Sequence, residues 1–149
     1  MECFAEFTLL SSRYSPEDLA RAVGLASDHS WRKGERAGPR SRVGRKFNGV
    51  TYESHLPPGS TPEQHLANLL DRLRPLERNI SSLATALVAQ EGNERVVLVW
   101  LVLIDSPPDI LGLEVVRDRL ELMARLGAGF ALDIYPGSED GEVEPAPRP

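Results

Sequence analysis

The sequence predicts an α+β fold: a two-layer sandwich, with one mostly antiparallel or mixed sheet and about three helices on one face. Three observations predict it. Apolar segments follow the order strand, helix, hairpin, helix, strand, helix, strand. Leu66, Leu69, Leu70, Leu73, Leu76, Ile80, Leu83 and Leu87 recur at spacings of three and four, which makes one apolar helical stripe. Val96 to Ile104 is an unbroken apolar run rich in β-branched residues, as in a buried strand. Helices and strands segregated in this way pack as two layers.

Each element has its own local reasons. Phe4 to Leu10 alternates, with Cys3, Ala5, Phe7 and Leu9 on one side and Glu6 and Thr8 on the other, so it reads as a strand. SPEDLARAVGL follows. Ser15 can cap the free N–H groups of a first turn, Pro16 needs no N–H there, Glu17 and Asp18 suit the positive helix end, and Gly24 offers a left-handed stop. Gly34, Gly38, Pro39 and Gly44 argue against a helix over the next stretch. Asn48-Gly49 has the signature of a two-residue hairpin turn, leading into an arm from Val50 to Leu56.

Thr61 with Gln64 forms a capping box, and Pro62 takes the first position of a long Leu-rich helix. Pro75 predicts a kink in it, or two abutting helices. The Val96–Ile104 run predicts a strand buried on both faces, with Trp100 in the core. Ser106-Pro107-Pro108-Asp109 ends it. A further helix is expected from about Leu113 to Leu126, with Leu113, Val116, Leu120 and Met123 inward and Gly127 as its stop. Phe130 to Tyr135 closes the sheet, with Phe130, Leu132 and Ile134 directed inward and Asp133 opposite. Residues 1–136 form a single domain, and 137–149 an acidic Pro- and Gly-containing tail.

At this point the order of elements resembles that of the DUF4279 family. The segments that carry the resemblance are SPEDLARAVGL, WRKGE, TYESHL, TPEQHLANLLDRLRPL and, most specifically, LGAGFALDIY from Leu126 to Tyr135. It covers roughly residues 4–136. Tyr52 stands where the family often has Trp, and the arm before it is unusually Arg-rich. The resemblance implies a fold and a bacterial origin, and it brings no assigned activity. Some small domains of this kind look like immunity proteins of bacterial toxin systems, an analogy of fold only.

Bulk properties narrow the function. A chain of 149 residues with 41% hydrophobic residues is long enough for one self-sufficient core. A single cysteine, Cys3, excludes an intrachain disulfide and a four-Cys zinc site. The N-terminal MECFAEF lacks the basic and apolar regions of a secretory signal, and the longest apolar run is too short to span a bilayer. A cytoplasmic location without membrane contact is expected. His29, His55 and His65 have neither i, i+4 spacing nor a neighbouring Cys, so they read as surface histidines and no metal is expected. No nucleophile elbow or phosphate loop occurs, and no cofactor is implied. Catalytic residues are not assigned. Glu6 and Asp133, mid-strand carboxylates on what would be adjacent strands, are the one acid–base candidate, set against the plainer reading that both face solvent or pair with Arg.

One segment stands out. Trp31 to Phe47, WRKGERAGPRSRVGRKF, holds Arg32, Lys33, Arg36, Arg40, Arg42, Arg45 and Lys46 against the single acid Glu35. It carries +6 in a chain of net charge −5, which leaves −11 for the remainder. Three roles compete: a solvated loop protecting a sheet edge, a surface for one acidic protein partner, and a phosphate-binding arm for nucleic acid. Few aromatics interleave the cations, which disfavours base stacking. The expected function is a non-enzymatic protein-interaction module, immunity-like in character. Nucleic-acid or anion binding through the arm is the alternative, and an enzyme with a Glu6/Asp133 site is a third. The oligomeric state is not legible.

Overall fold

A computed structural model describes residues 1–106 and 112–137. The first strand, β1 (Glu2–Ser11), is the middle of a five-stranded sheet. Helix α1 (Pro16–Val23) follows, then β2 (His29–Trp31) and β3 (Asn48–Glu53). Next come α2 (Pro62–Leu73), a 3-10 turn (Arg74–Leu76) and α3 (Glu77–Glu91). A second 3-10 turn (Glu94–Val96) leads into β4 (Val97–Ser106), followed by α4 (Arg117–Leu126) and β5 (Gly129–Pro136). The strand order is β2-β3-β1-β4-β5. All pairs are antiparallel except β4 with β5, which are parallel because α4 carries the chain back across. The fold class is the expected one: a mixed sheet with helices on one face.

The helix signals act as anticipated. Ser15 accepts the Asp18 N–H, and Gly24 ends α1 in the left-handed region at φ 86°. Thr61 and Gln64 close a full capping box on α2. Pro75 breaks the Leu-rich stripe into α2 and α3, so the helical layer has four α-helices among the described residues.

The core lies between this layer and one sheet face. Ala5, Phe7 and Leu9 of β1, Val50 and Tyr52 of β3, and Val97, Val99 and Leu101 of β4 face it. Leu66, Leu69, Leu70 and Leu73 of α2 and Ile80 and Leu87 of α3 meet them, all fully buried. Cys3 sits among them as a small core residue. Tyr52 is buried too, and its hydroxyl donates to the Leu25 carbonyl at 2.8 Å.

Several expectations are corrected. Asn48-Gly49 is not a turn. Gly49 lies in β3 opposite Trp31, and the hairpin β2–β3 is closed by the whole segment 32–47. Glycine is needed at 49 because the Trp31 ring lies on its backbone, and a Cβ there would stand 2.2 Å from Trp31 Cζ2. Strand β4 is not buried alike on its two faces: no helix among the described residues covers the side of Leu98, Trp100 and Ile104, which are half-buried, and of the apolar residues on that side only Val102 is fully buried. Trp100 is half-buried on that uncovered face and is not a core residue. Helix α4 begins at Arg117 and buries Leu122, Met123 and Leu126, while Val116 and Leu120 are exposed. Strand β5 is an edge, so Phe130, Leu132 and Ile134 remain exposed where the alternation had placed them inside.

His65 is corrected as well. It is buried, with Nδ1 against the Ser54 hydroxyl at 2.7 Å and Nε2 against the Pro57 carbonyl at 3.2 Å. The carbonyl can only accept, so Nε2 carries the proton and Nδ1 accepts from Ser54. The Ser-Pro-Pro-Asp turn falls mostly outside the described residues. So does the acidic tail, apart from Gly137. Among the described residues no helix is long and apolar enough to cross a membrane.

Candidate functional site

The uncovered sheet face is where the chain gathers its unusual residues. On β1 the even positions point away from the helices and place Glu6, Thr8 and Leu10 there. Thr51 and Glu53 of β3, Leu98 and Trp100 of β4, and Ala131 and Asp133 of β5 share that face. Such a face would be flat and wet if left alone. The basic arm changes it.

The arm is non-helical, as its glycines suggested, but it is folded upon itself. Its two limbs pair with each other: the Gly34 N–H donates to the Arg45 carbonyl at 2.9 Å, and the Arg45 N–H to the Glu35 carbonyl at 2.7 Å. Arg36 and Gly44 form a further bridge. The limbs approach so closely that a Cβ on Gly44 would stand 2.8 Å from the Gly34 carbonyl oxygen. At the base, the Asn48 side chain accepts the Lys33 N–H and donates to the Tyr14 carbonyl, which fixes where the arm leaves the sheet. The Arg45 guanidinium lies 4.1 Å from the centroid of the Trp31 ring, a cation–π contact that holds both side chains.

Folded in this way, the arm forms a wall along the open sheet face. Between them runs a concave groove of about 1010 Å³ that touches all five strands. Arg36, Arg45, Lys46 and Arg95 line it, as do Glu6, Glu35, Glu53 and Asp133. Its apolar surface comes from Trp31, Phe47, Leu98 and Trp100.

The seven cations therefore separate. Arg36, Arg45 and Lys46 line the groove. Arg32 turns back to helix α1 and pairs with Glu17 at 2.6 Å. That carboxyl is held below its ordinary value by the backbone N–H groups at the helix start, with Arg32 adding to the effect. Lys33 is exposed at the base, and Arg40 and Arg42 are exposed toward the tip.

The two candidate carboxylates both line the groove, but not on adjacent strands. Strand β4 runs between β1 and β5, and Trp100 lies opposite Glu6 on it. Two strand spacings and a two-residue offset place Glu6 and Asp133 roughly 12 Å apart. Glu6 does not face solvent; it is 5% exposed. Its cross-strand neighbour is Glu53, which reaches His29 Nε2 at 3.1 Å. Sequence reading missed this neighbour because the register of β1 on β3 is set by the displaced turn. It missed Trp100 because β4 is apolar on both faces. The polar alternation of Glu6 and Thr8 was the available signal: a strand paired beside them shares their uncovered side.

A second polar cluster sits at the edge of this site. Asp28 accepts from Arg72 at 2.5 Å, from the Glu53 N–H at 2.7 Å, and meets His55 at 3.1 Å. Burial alone would raise its pKa. Arg72, the Glu53 N–H and His55 outweigh burial and hold it down to about 2. This cluster ties α2 to the β2–β3 hairpin. Among the described residues no group of three or more His, Cys, Asp or Glu side chains is placed to hold a metal ion.

Fold and groove together define the class: a small two-layer α+β domain whose uncovered sheet face is walled by a basic arm. The chain belongs to the DUF4279 family, a domain of unknown function, whose profile matches residues 1–137. No curated protein and no solved structure matches it.

Proposed function

We propose that this domain is a non-enzymatic protein-interaction module that receives an acidic, partly apolar segment of one partner in the groove between the arm and the open sheet face. The observation that carries this is the groove's extent. It touches every strand of the sheet, roughly 19 Å from edge to edge by strand spacing. Its 1010 Å³ stands at the upper end of what small-molecule pockets occupy. Trp31, Trp100 and Arg45 are the residue types that anchor protein interfaces. Arginine beside the groove gives forked contacts to carboxylates, and cations on the wall speed encounter with an acidic surface. An immunity-like role fits a domain that offers one such site.

A second reading, acid–base chemistry, is supported by one observation: Glu6 is buried in the groove directly across from Glu53. Paired carboxylates can divide acid and base roles. The original pairing with Asp133 is too wide for a shared proton.

Peptide display tests the main reading. Random peptides are selected on the wild-type protein and then re-tested on a variant carrying Arg36→Glu, Lys46→Glu and Trp100→Ala. Enriched peptides should carry Asp or Glu beside an aromatic or aliphatic residue and lose binding to the variant by about tenfold or more. Peptides that bind both proteins equally would remove the groove from the account. Tight duplex-DNA binding with a log–log salt slope of about −4 to −6 would make nucleic acid the ligand of the arm.

A further inference from the structure

Strand β5 is one edge of the sheet, and no described strand adds to its outer side. The opposite edge, β2, is only three residues long and is continued by the basic arm. Strand β5 is eight residues long. Edges of that length are ordinarily blunted by Lys, by an internal Pro or by a bulge. From Gly129 to Tyr135 this one has only Asp133 as a charge. Its helix-side row is Phe130, Leu132 and Ile134, at 38%, 39% and 46% exposure. Leu120 in α4, the helix that packs next to β5, and Val116 just before that helix are exposed as well. Among the described residues, most of the exposed large hydrophobic side chains therefore lie in β5 and at α4.

We propose that β5 pairs antiparallel with β5 of a second copy of this chain, with Leu132 on the twofold axis. The strand is complementary to itself in that register. Phe130 meets Ile134 of the partner subunit, and Leu132 meets the partner's Leu132, so the apolar rows merge. On the other face, small residues meet large or charged ones: Ala131 opposes the partner's Asp133, and Gly129 opposes the partner's Tyr135. Centring the pair on Asp133 would instead set two carboxylates face to face, a destabilising contact. Centring it on Ala131 would leave Ile134 opposite the partner's Ala128. The contact is isologous and closes at two copies. It would join two five-stranded sheets into one and set both grooves on the same face.

The test uses the full chain. Sedimentation velocity from low micromolar to several hundred micromolar should show a monomer–dimer equilibrium. Leu132→Lys should raise the dissociation constant about a hundredfold or more, with an unchanged circular-dichroism spectrum as the folding control. Leu132→Cys should cross-link to a covalent dimer under mild oxidation, because directly opposed residues lie within disulfide reach. Phe130→Cys alone should not, since its copies stand four residues apart in register. A monomer at every concentration overturns the proposal. So does a dimer that Leu132→Lys leaves intact, or one that Phe130→Cys traps as readily as Leu132→Cys. A dimer that forms only after residues 138–149 are removed also overturns it, because the tail would then be the natural occupant of the edge.

Discussion

Single side chains fix the arm and the pH response. Gly49 admits the Trp31 ring onto the β3 backbone, and the space has no slack: a Cβ would sit 2.2 Å from the ring. Gly49→Ala should therefore displace Trp31 and loosen its contact with Arg45. We expect a loss of about 1–3 kcal/mol, as for other overpacked sites, read as a lower urea midpoint with altered tryptophan emission. His65 supplies a different kind of constraint. Burial lowers its pKa from 6.5, and the Pro57 carbonyl opposes that only in part. The unfolded chain then takes up the proton first as pH falls. Stability from this group is complete above about pH 6.5 and declines below it. A His65→Gln variant, melted at a series of pH values between about 7.5 and 5, should lack this decline. Asp28 acts lower on the scale. Its folded value of about 2 lies under its ordinary 3.8, so its contribution is complete above 3.8 and is lost as pH falls toward 2. Asp28→Asn should cost on the order of 1–2 kcal/mol at neutral pH, given its partial exposure to solvent. It should also flatten acid unfolding in that window.

At the scale of elements, burial on one face of the sheet sets which truncations are severe. Phe7 is fully buried under the helices. Phe7→Ala should cost about 3–5 kcal/mol. Trp100 is larger but only half-buried on the open face, so Trp100→Ala should cost about half as much while weakening ligand binding more than Phe7→Ala does. Chemical denaturation of the two variants orders them directly. If Trp100→Ala proves the more damaging to stability, the open face is a core after all. The contrast also shows what the sequence could and could not convey. Helix starts and stops were legible because capping is local: Ser15, the Thr61–Gln64 box, Pro75 and Gly24 each act within one turn. The role of Asn48-Gly49 was not, because the ring that requires Gly49 comes from Trp31, eighteen positions earlier. The half-burial of Trp100 and the exposure of Phe130, Leu132 and Ile134 were not legible either. Strand order decides them, and it depends on pairings between distant segments. The groove inherits both gaps. Its cations were visible in the sequence, yet only the register of β1 with β3 and β4 reveals that Glu6, Glu53 and Trp100 share it.

The whole molecule is an acidic body with a basic wall beside an open sheet face. Net charge −5 and a +6 arm mean that the two attract, and the arm's own hydrogen bonds hold it as a wall. Surface charges contribute little to folding, so neutralising Arg40 and Arg42 toward the tip should leave the melting temperature unchanged within about one degree. The same change should slow partner association at low salt, where screening is weakest. Binding in the groove can be observed without knowing the partner's name. The chain has two tryptophans, Trp31 and Trp100, and both line the groove. A nitrogen-15 correlation spectrum therefore contains two indole N–H signals, one from the arm's base and one from the sheet face. Titration with a display-selected acidic peptide should move both signals, together with the backbone amides of Ala131 and Asp133. Shifts confined to the Arg40–Arg42 region, with both indole signals fixed, would contradict the account.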